Sequence, residues 1–368
     1  METKYNKVKQ VIKSKILDGT FVPHQKIGTE NELMNQFGVS RHTVRVAIGD
    51  LVNEGWLYRE QGAGTFCADR TSSTKKSYDV QKRIAIITTY ISDYIFPSII
   101  RGAESVFSEQ GFQVSLFSTN NNHENEKRVL ETILSQNFDG VIIEPTKSAF
   151  TNPNINYYFN LERLNIPYLM INAFYEELDP LCYIMDDVMG GYVQTEHLIK
   201  LGHKNIMCFF QTDDIQGVKR MKGYIKAHRN YGITIDPKNI VTYNSEQKTE
   251  KPREMLNEII LQNERPTALV CYNDELALSL LDVLRENHLS VPKDISIVGY
   301  DDSLLAQASE VKLTTIKHPK NDMGVTAAKM IVQMVLDKEQ GSKKSQNKLQ
   351  SVIFEPELVI RNSTKQID

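Results

Sequence analysis

Residues 29–66 read TENELMNQFGVSRHTVRVAIGDLVNEGWLYREQGAGTF, and this segment contains the start and stop signals of two short helices. Thr29 and Glu32 have the spacing of a capping box, in which each side chain accepts a hydrogen bond from the other residue's backbone N–H. Gly38 is a residue type that ends helices, and Ser40 can cap a second helix two residues later. The pattern therefore predicts two helices joined by a tight turn, which is a helix-turn-helix.

The second predicted helix has one apolar side and one polar side. Apolar residues recur at helical spacing over 44–52 and leave Arg41, His42 and Arg45 on the opposite side. In a helix-turn-helix, the first residues of this helix enter the major groove of DNA, where an arginine fork fits O6 and N7 of guanine. The alternative is that these charges form an ordinary solvated helix surface.

The residues after Gly55 alternate in polarity, reach a glycine-containing turn and alternate again. This pattern predicts a β-hairpin wing with Gln61 and Gly62 at its tip, where they are small and polar enough to enter a minor groove. Gly62 and Gly64 could also belong to a nucleotide-binding loop. That kind of loop follows a strand and opens a helix, whereas this pair lies inside a hairpin.

These motifs resemble the GntR family of winged helix-turn-helix regulators, mainly in FGVSRHTVR at 37–45 and GAGTF at 62–66. The resemblance implies DNA contacts by Glu30, Arg41, Thr43, Arg45, Gln61 and Gly62. Many family members carry histidine or a basic residue where this chain has Gln61, so minor-groove affinity here is expected to depend more on hydrogen bonding. In the preceding amphipathic helix, Lys4 and Lys7 could contact phosphates or be ordinary solvated lysines.

Charge is divided unevenly along the 368 residues. Residues 1–83 carry 14 Lys and Arg against 9 Asp and Glu, a net charge of +5, and the remainder carries 29 against 37, a net charge of −8. We call the basic N-terminal part the head and the acidic remainder the body. This division of charge confines the attraction for nucleic acid to the head. We predict a DNA-binding domain at 1–70, a flexible linker at 71–81, where the sequence becomes polar and loses periodicity, and a larger domain at 82–368.

The composition argues against a membrane protein and against a disulfide-bonded or zinc-binding protein. No apolar run approaches the length of a membrane span, and the N-terminus has the pattern of a charged helix start rather than of a signal peptide. We therefore expect a cytoplasmic protein without membrane contact. No C-x-x-C pair is present, so we expect buried thiols at Cys67, Cys182, Cys208 and Cys271.

The larger domain alternates apolar strand-like runs with amphipathic segments of helix length. Several runs are near-continuous in Val, Ile and Leu, as is typical of parallel strands covered on both faces. The predicted strands are 84–88, 114–118, 140–143, 168–172, 206–210, 268–272 and 296–299. The pattern predicts an α/β fold, in which ligands bind at the carboxyl ends of the strands.

Polar and aromatic residues follow these strands at the positions where a ligand would bind. They suit a sugar, because hydroxyl groups both donate and accept hydrogen bonds and the C–H faces of a sugar stack on aromatic rings. Arg220 and Asp301 are the expected principal hydroxyl binders. Helix capping explains Asn120 and Asn121 better than ligand binding does, and a structural role explains Asp302 equally well. The predicted effector-binding residues are Tyr90, Asp93, Phe96, Glu144, Asn172, Arg220, Asn273, Asp274 and Asp301.

The larger domain resembles the effector domains of the LacI/GalR family, which share their fold with periplasmic sugar-binding proteins. The resemblance includes IFPSIIRG at 95–102, DGVII at 139–143, YNDE at 272–275 and SIVGYDD at 296–302. It implies two subdomains with parallel sheets, three crossovers between them, an effector between the subdomains and dimerisation through this domain. The DNA-binding head and hinge helix of that family are absent, and the GntR-type head takes their place.

The combination of these two parts resembles the group of regulators that respond to L-arabinose. The resemblance implies a homodimeric repressor that binds operator DNA of arabinose utilisation genes and is released by L-arabinose, with coupling through the linker. It implies no cofactor besides this effector and no catalysis.

Other interpretations remain. The effector could be another sugar, the protein could be an activator, or the body could only mediate oligomerisation. A metal-dependent enzyme could use the acidic pairs at 186–187, 213–214 and 301–302, although no phosphate-binding loop, His-rich motif or nucleophile elbow accompanies them.

Overall fold

The computed structural model describes residues 3–69, 81–92, 94–261, 265–339 and 349–367. The predicted linker lies outside these ranges apart from Gln81, and so does the predicted effector residue Asp93. The proposed domain boundaries therefore stay a prediction. Within the described ranges, no helix is long and apolar enough to cross a membrane, and the four cysteines are buried thiols, as expected.

The N-terminal part is a winged helix-turn-helix. Thr29 and Glu32 make both bonds of the capping box, and Gly38 ends the second helix in the left-handed conformation. Ser40 caps the third helix by accepting a hydrogen bond from the backbone N–H of Thr43. The prediction for this part is confirmed. Its elements are α1 (Lys4–Leu17), α2 (Glu30–Phe37), α3 (Arg41–Asn53) and the antiparallel strands β1 (Leu57–Glu60) and β2 (Gly64–Cys67).

The apolar side of α3 lies at the centre of the core of the head. Val44, Ala47 and Leu51 are fully buried and belong to the same apolar cluster as Val8 and Ile12 of α1. Burying this side removes apolar surface from water, which stabilises the helix in place. The polar side of α3 is left facing solvent.

The body consists of two six-stranded sheets with helices on their faces. The first sheet has the order β13-β7-β6-β5-β3-β4 and the second has the order β14-β12-β11-β10-β8-β9. Neighbouring strands are parallel except for β12 and β14. The elements are β3 (Arg83–Thr88), α4 (Phe96–Glu109), β4 (Gln113–Ser118), α5 (His123–Ser135), β5 (Gly140–Ile143), α6 (Ile155–Arg163), β6 (Tyr168–Ile171), β7 (Cys182–Met185), α7 (Asp187–Lys200), β8 (Ile206–Gln211), α8 (Ile215–Asn230), β9 (Ile240–Tyr243), α9 (Lys251–Ile260), β10 (Ala268–Cys271), α10 (Asp274–Glu286), β11 (Ser296–Asp301), α11 (Leu304–Ala308), β12 (Thr314–Lys317), α12 (Lys320–Glu339), β13 (Val352–Phe354) and β14 (Glu357–Val359).

The seven predicted strands are all present, with ends that agree to within two residues. The residue patterns did not predict β7, β9, β12, β13 or β14, which have three or four residues each. A strand of that length is predictable only where its residues form a continuous apolar run, as in β5, β6 and β10, whereas β9, β12 and β14 include polar residues and β13 has only three residues. Hydrogen bonds to neighbouring strands of the sheet define them.

The described chain crosses between the two sheets three times. The crossings lie between β7 and β8, between β12 and β13, and between β13 and β14. After β12 of the second sheet, α12 returns to pack against α4 beside the first sheet. The body therefore has two subdomains, the first built on the first sheet and the second on the second sheet. The three crossovers between them are those that the resemblance implies.

Glycines let α7 and α8 approach each other to backbone contact. A Cβ atom added at Gly191 would lie 2.1 Å from the backbone oxygen of Arg220, and one at Gly223 would lie 2.1 Å from that of Val188. Any larger residue at either position would push the two helices apart. This close packing also sets the position of Arg220 in the second subdomain.

Replacing Gly191 by alanine should lower the free energy of unfolding of the body by about 1–3 kcal/mol, because overpacking forces the helices to separate. Urea denaturation measures this change. Gly49→Ala is a matched control, since Gly49 is also helical and an added Cβ would meet no atom within 4 Å. Alanine there should stabilise the head by about 0.5–1 kcal/mol. Equal effects at both sites would contradict the close packing of α7 on α8.

Candidate DNA-binding surface and effector cavity

The solvent-exposed side of α3 carries the predicted base-reading residues. Arg41 and His42 lie in its first turn and Arg45 follows one turn later, and all three are exposed. Thr43 is half-buried, with its hydroxyl 2.9 Å from that of the helix cap Ser40. This side of α3 presents cations and hydrogen-bond donors, which suits the major groove.

Glu30 links the two arginines of this surface. Its carboxylate accepts hydrogen bonds from Nε of Arg45 at 2.8 and 3.0 Å and lies 3.6 Å from Nε of Arg41. The hydrogen bond from Arg45 lowers the pKa of Glu30, and Arg41 contributes in the same direction. Because the bonds engage Nε of Arg45, its terminal amino groups stay available for a fork contact with guanine. Glu30 thus orients the arginine that is predicted to read DNA.

The wing turns at residues 61–63, which are exposed, and Gly62 has φ of 81°, a conformation that glycine adopts without strain. Gln61 and Gly62 therefore form the tip, as predicted from the hairpin pattern. Lys4 and Lys7 are exposed on α1. The structure places every predicted DNA-contacting residue on the surface of the head apart from the half-buried Glu30 and Thr43, and their contacts with DNA stay a prediction.

Two further residues on this surface were missed by sequence reasoning. Arg59 of β1 is exposed and close enough to Glu30 to help lower the pKa of that carboxyl. Val46 of α3 is apolar but 38% exposed, and apolar side chains in this position can contact the methyl group of thymine. Neither position carries a sequence signal, because single charged residues in strands and single apolar residues on helix surfaces are common.

The two subdomains enclose a cavity of about 230 Å³ at the carboxyl ends of strands from both sheets. This is the place where ligands of parallel sheets bind. Six of the predicted effector residues line the cavity, namely Tyr90, Phe96, Glu144, Arg220, Asn273 and Asp301. Residues scattered over more than 200 positions of sequence are thereby brought to one site.

Two predicted effector residues lie behind the wall of the cavity rather than on it. Asn172 donates to Glu144 at 3.0 Å, and Asp274 accepts hydrogen bonds from Thr315 and from the backbone N–H of Ser303, both at 2.7 Å. Both residues are buried and their polar atoms are engaged by the protein. The expectation of direct ligand contact is therefore corrected for these two residues, which instead support those that line the cavity.

Arg220 is held rigidly in the second subdomain. It is 1% exposed, and its Nε donates to Asp187 Oδ1 at 2.8 Å. Its Nη1 donates to the backbone carbonyl of Tyr272 at 2.7 Å, and its guanidinium lies 3.5 Å from the centroid of the Tyr300 ring. Its Nη2 lies 4.0 Å from Asp301 Oδ1. The protein thus fixes a buried cation beside a second carboxylate.

Asp301 has one carboxylate oxygen in use and one without a hydrogen-bond partner. Oδ2 accepts a hydrogen bond from the Tyr94 hydroxyl at 2.7 Å, whereas Oδ1 is buried and has no partner among the described residues. Burial raises the pKa of Asp301, and the neighbouring Arg220 opposes that rise. An unsatisfied buried acceptor is costly. A ligand hydroxyl that donates to Oδ1 and accepts from Arg220 Nη2 would remove this cost.

Some cavity residues were not predicted, among them Tyr94, Asp214 and Tyr272. Asp214 follows β8, and Tyr272 directly precedes the predicted Asn273, so the rule of inspecting residues after strands could have found both. Tyr94 lies in a loop with φ of 58°, for which the sequence gives no signal. Asp302 forms an ion pair with Arg361 at 2.6 Å, which favours its structural interpretation.

Hydrogen bonds cross from one subdomain to the other around the cavity. The Tyr94 hydroxyl donates to Asp301, and the side-chain amide of Asn121 donates to the Ser245 hydroxyl at 2.6 Å. The sequence explained Asn121 by helix capping. In the structure, this residue lines the cavity and bridges the cleft between the subdomains. These bonds hold the subdomains closed, and any opening of the cleft breaks them.

Glu144 is a buried carboxyl on the wall of the cavity. Burial raises its pKa from 4.5 to about 7, although hydrogen bonds from Thr89 and Asn172 favour the charged form. Because the pKa of Glu144 is higher in the folded state, folding takes up a proton. The stabilisation is fully present below the unfolded pKa and is lost as the pH rises through the folded pKa.

Glu144 should therefore lower the free energy of unfolding of the body as the pH rises from about 5 to about 8, and Glu144→Gln should remove this contribution because glutamine does not ionise. Burial also raises the pKa of Asp274 to about 7, so Asp274 contributes in the same direction. This residue is unchanged in the Glu144→Gln variant, and its contribution to the slope remains. Urea denaturation at several pH values measures the slope. Glu109→Gln, on an exposed glutamate at the end of α4, is the control. A slope unchanged by Glu144→Gln would contradict the assignment.

Comparisons with known proteins agree with both parts of the structure. The model of the gntR family of bacterial regulatory proteins matches residues 4–67, and the model of periplasmic binding protein-like domains matches residues 195–364. The arabinose metabolism transcriptional repressor of Halalkalibacterium halodurans is 62% identical over 366 residues, which cover 99% of this chain and 97% of that protein. The chain belongs to the family of arabinose metabolism transcriptional repressors.

The repressor is also 51% identical over 366 residues to the protein of the same description from Geobacillus stearothermophilus, covering 99% of this chain and 98% of that one. Its fold is similar to the crystal structure of the transcription regulator CcpA of Lactococcus lactis, with a TM-score of 0.67 and 23% identity over 78% of this chain and all of that one. The GntR-type head and the periplasmic-binding-protein-like fold of the body are confirmed. The protein is a DNA-binding regulator of transcription and not an enzyme.

Proposed function

We propose that the repressor binds operator DNA of arabinose utilisation genes as a cytoplasmic homodimer and that L-arabinose releases it. The observation that carries the effector proposal is the buried Arg220 beside the unsatisfied Oδ1 of Asp301 in the cavity between the subdomains. Relatives named for arabinose metabolism support L-arabinose as the sugar.

The chemistry of the cavity fits a single sugar ring. Arg220 supplies donors, Asp301 and Glu144 supply acceptors, and Tyr90 and Phe96 provide aromatic faces with ring centroids 6.3 Å apart. A small cavity with converging polar groups suits a compact ligand of many hydroxyls. Each hydroxyl can then be paired as both a donor and an acceptor.

Release of DNA requires that the sugar binds one state of the protein more tightly than the other. The cross-cleft bonds of Tyr94 and Asn121 define a closed state, and a sugar that bridges the same two subdomains changes the balance between closed and open states. Coupling between two such sites is typically about 1–3 kcal/mol, a change in affinity of about 5–150-fold. A dimer would place its two heads on the two half-sites of a pseudo-palindromic operator.

Fluorescence anisotropy of a labelled operator fragment at fixed salt tests this proposal. The fragment is titrated with the repressor in the presence of L-arabinose and, as stereochemical controls, of D-xylose or D-galactose. We expect L-arabinose alone to weaken binding, by about 5–150-fold. If no sugar weakens binding, the effector proposal is wrong and DNA binding stands, and if only a control sugar does, the effector is another sugar. Sedimentation of the free protein tests the dimer.

A further inference from the structure

The end of α1 in the head rests on α5 and α6 of the first subdomain. The Ser14 hydroxyl donates to Glu131 Oε1 at 2.9 Å, and the Tyr157 hydroxyl donates to the same oxygen at 3.0 Å. The side-chain amide of Asn160 donates to the backbone carbonyl of Leu17, the last residue of α1. The last carbonyl groups of a helix have no partner within it, so the body caps this helix of the head.

Apolar packing surrounds these hydrogen bonds. Ile16 and Leu17 of α1 and Leu134 of α5 are buried, and the apolar residues of head and first subdomain form one continuous cluster. Trp56 of the head and Leu164 of the body line the same narrow cleft at this junction. Separation of the two parts would expose these side chains to water and leave the Asn160 amide without its carbonyl partner, both of which cost free energy.

The helix α5 extends from this contact to the effector cavity. It begins at His123, two residues after Asn121, which lines the cavity and donates to Ser245 of the opposite subdomain. Near its other end lie Glu131 and Leu134, which contact the head. Its 13 residues span about 20 Å. One rigid helix therefore joins the cross-cleft bond to the surface that holds the head.

We propose that Ser14 and Leu17 of the head and Glu131, Tyr157 and Asn160 of the body form a docking interface. The body holds the head through this docking interface, and the effector acts on the head through α5 as well as through the linker. The docking itself is independent of the effector, whereas its part in coupling rests on the proposed release by L-arabinose. Such coupling requires a contact that exists in two states, docked and undocked. Binding of the effector and binding of DNA must each shift the balance between these states.

The single tryptophan of the chain, Trp56, reports on the docking interface because it is 4% exposed and lines the cleft. The full-length protein is studied by acrylamide quenching of Trp56 without sugar or DNA. Ser14→Asp places a second carboxylate against Glu131, so we expect repulsion to undock the head and quenching to increase. Ser14→Ala removes the hydrogen bond to Glu131 and the longer one, of 3.4 Å, between the Ser14 and Tyr157 hydroxyls, but it adds no charge and should quench like the parent.

A charge-swapped double variant gives the decisive comparison. Ser14→Asp combined with Glu131→Lys restores an attractive pair and should return quenching to the parent value. Circular dichroism verifies that each variant is folded, and Asn160→Ala, which removes the cap of Leu17, provides a second undocking variant if Ser14→Asp does not fold. Folded Ser14→Asp and Asn160→Ala variants that both quench like the parent would overturn the docking interface.

Operator binding by the same variants tests the coupling. We expect the effect of L-arabinose on operator affinity, about 5–150-fold in the parent, to fall in Ser14→Asp to the part that the linker carries and to recover in the double variant. An undocked variant with the full response would show that coupling bypasses the docking interface. A parent that does not respond to L-arabinose would contradict the proposed function, whereas the quenching comparison would still decide whether the head docks.

Discussion

Replacing Arg220 by alanine should abolish the response of operator binding to L-arabinose and lower the free energy of unfolding of the body by about 3–5 kcal/mol. The loss of stability arises because Asp187 and Asp301 are buried carboxylates that Arg220 neutralises, at 2.8 and 4.0 Å. The loss of response arises because a sugar hydroxyl beside Asp301 Oδ1 loses its donor. Urea denaturation measures the first effect and operator anisotropy with L-arabinose the second.

The matched control for this prediction is Arg285→Ala. Arg285 pairs with Asp282 at 3.2 Å, but its side chain is 66% exposed, so its loss should change stability by no more than about 1 kcal/mol. Asp301→Asn separates the two effects, because it keeps the shape of the side chain and the bond with Tyr94 while removing the charge that faces the sugar. An Arg220→Ala repressor that L-arabinose releases normally would exclude this site.

Replacing Arg45 by alanine should weaken operator binding by about 1–3 kcal/mol for each head and by about twice that for a dimer that engages both half-sites. The structure gives the reason, since Glu30 holds Nε of Arg45 and leaves the terminal amino groups for a guanine. Anisotropy measurements with the parent operator and with operators changed at single guanines test this. Discrimination at one position should disappear in Arg45→Ala.

Lys4→Ala is the matched control, because Lys4 is an exposed lysine at the start of α1, outside the helix predicted to read bases, and is predicted to contact phosphates. Its loss should weaken binding to all sequences alike and reduce the salt dependence by about one charge per head. If Arg45→Ala behaves in the same way, Arg45 contacts phosphates and the assignment of base reading moves to the other residues of α3.

The head follows closely from its sequence. The capping box of Thr29 and Glu32, the left-handed Gly38 and the hairpin that turns at Gly62 are local features, and each depends on a few neighbouring residues. Local hydrogen bonds and backbone preferences decide them, so the order of residue types is sufficient. The longer strands of the body are predictable for a similar reason, since continuous apolar runs require burial on both faces.

The site in the body follows from its sequence only in part. Arg220 and Asp301 are found by the rule that ligands meet the ends of parallel strands, but the same rule places Asp274 on the wall of the cavity when it lies behind it. Whether a carboxylate faces a ligand or accepts from a neighbouring threonine depends on side-chain packing over residues far apart in sequence. Sequence reasoning did not predict that Tyr94 and Asn121 bridge the cleft, because their hydrogen-bond partners lie in the opposite subdomain.

The sequence by itself determined that this protein is a winged-helix DNA-binding protein joined to an α/β body, because caps, turns and apolar periodicity are properties of short segments. Only the tertiary structure decided which polar atoms remain unpaired in the cavity, how the subdomains close around it and where α1 rests on α5. Those features depend on distances between atoms that the chain brings together from remote positions, and no local pattern encodes such distances.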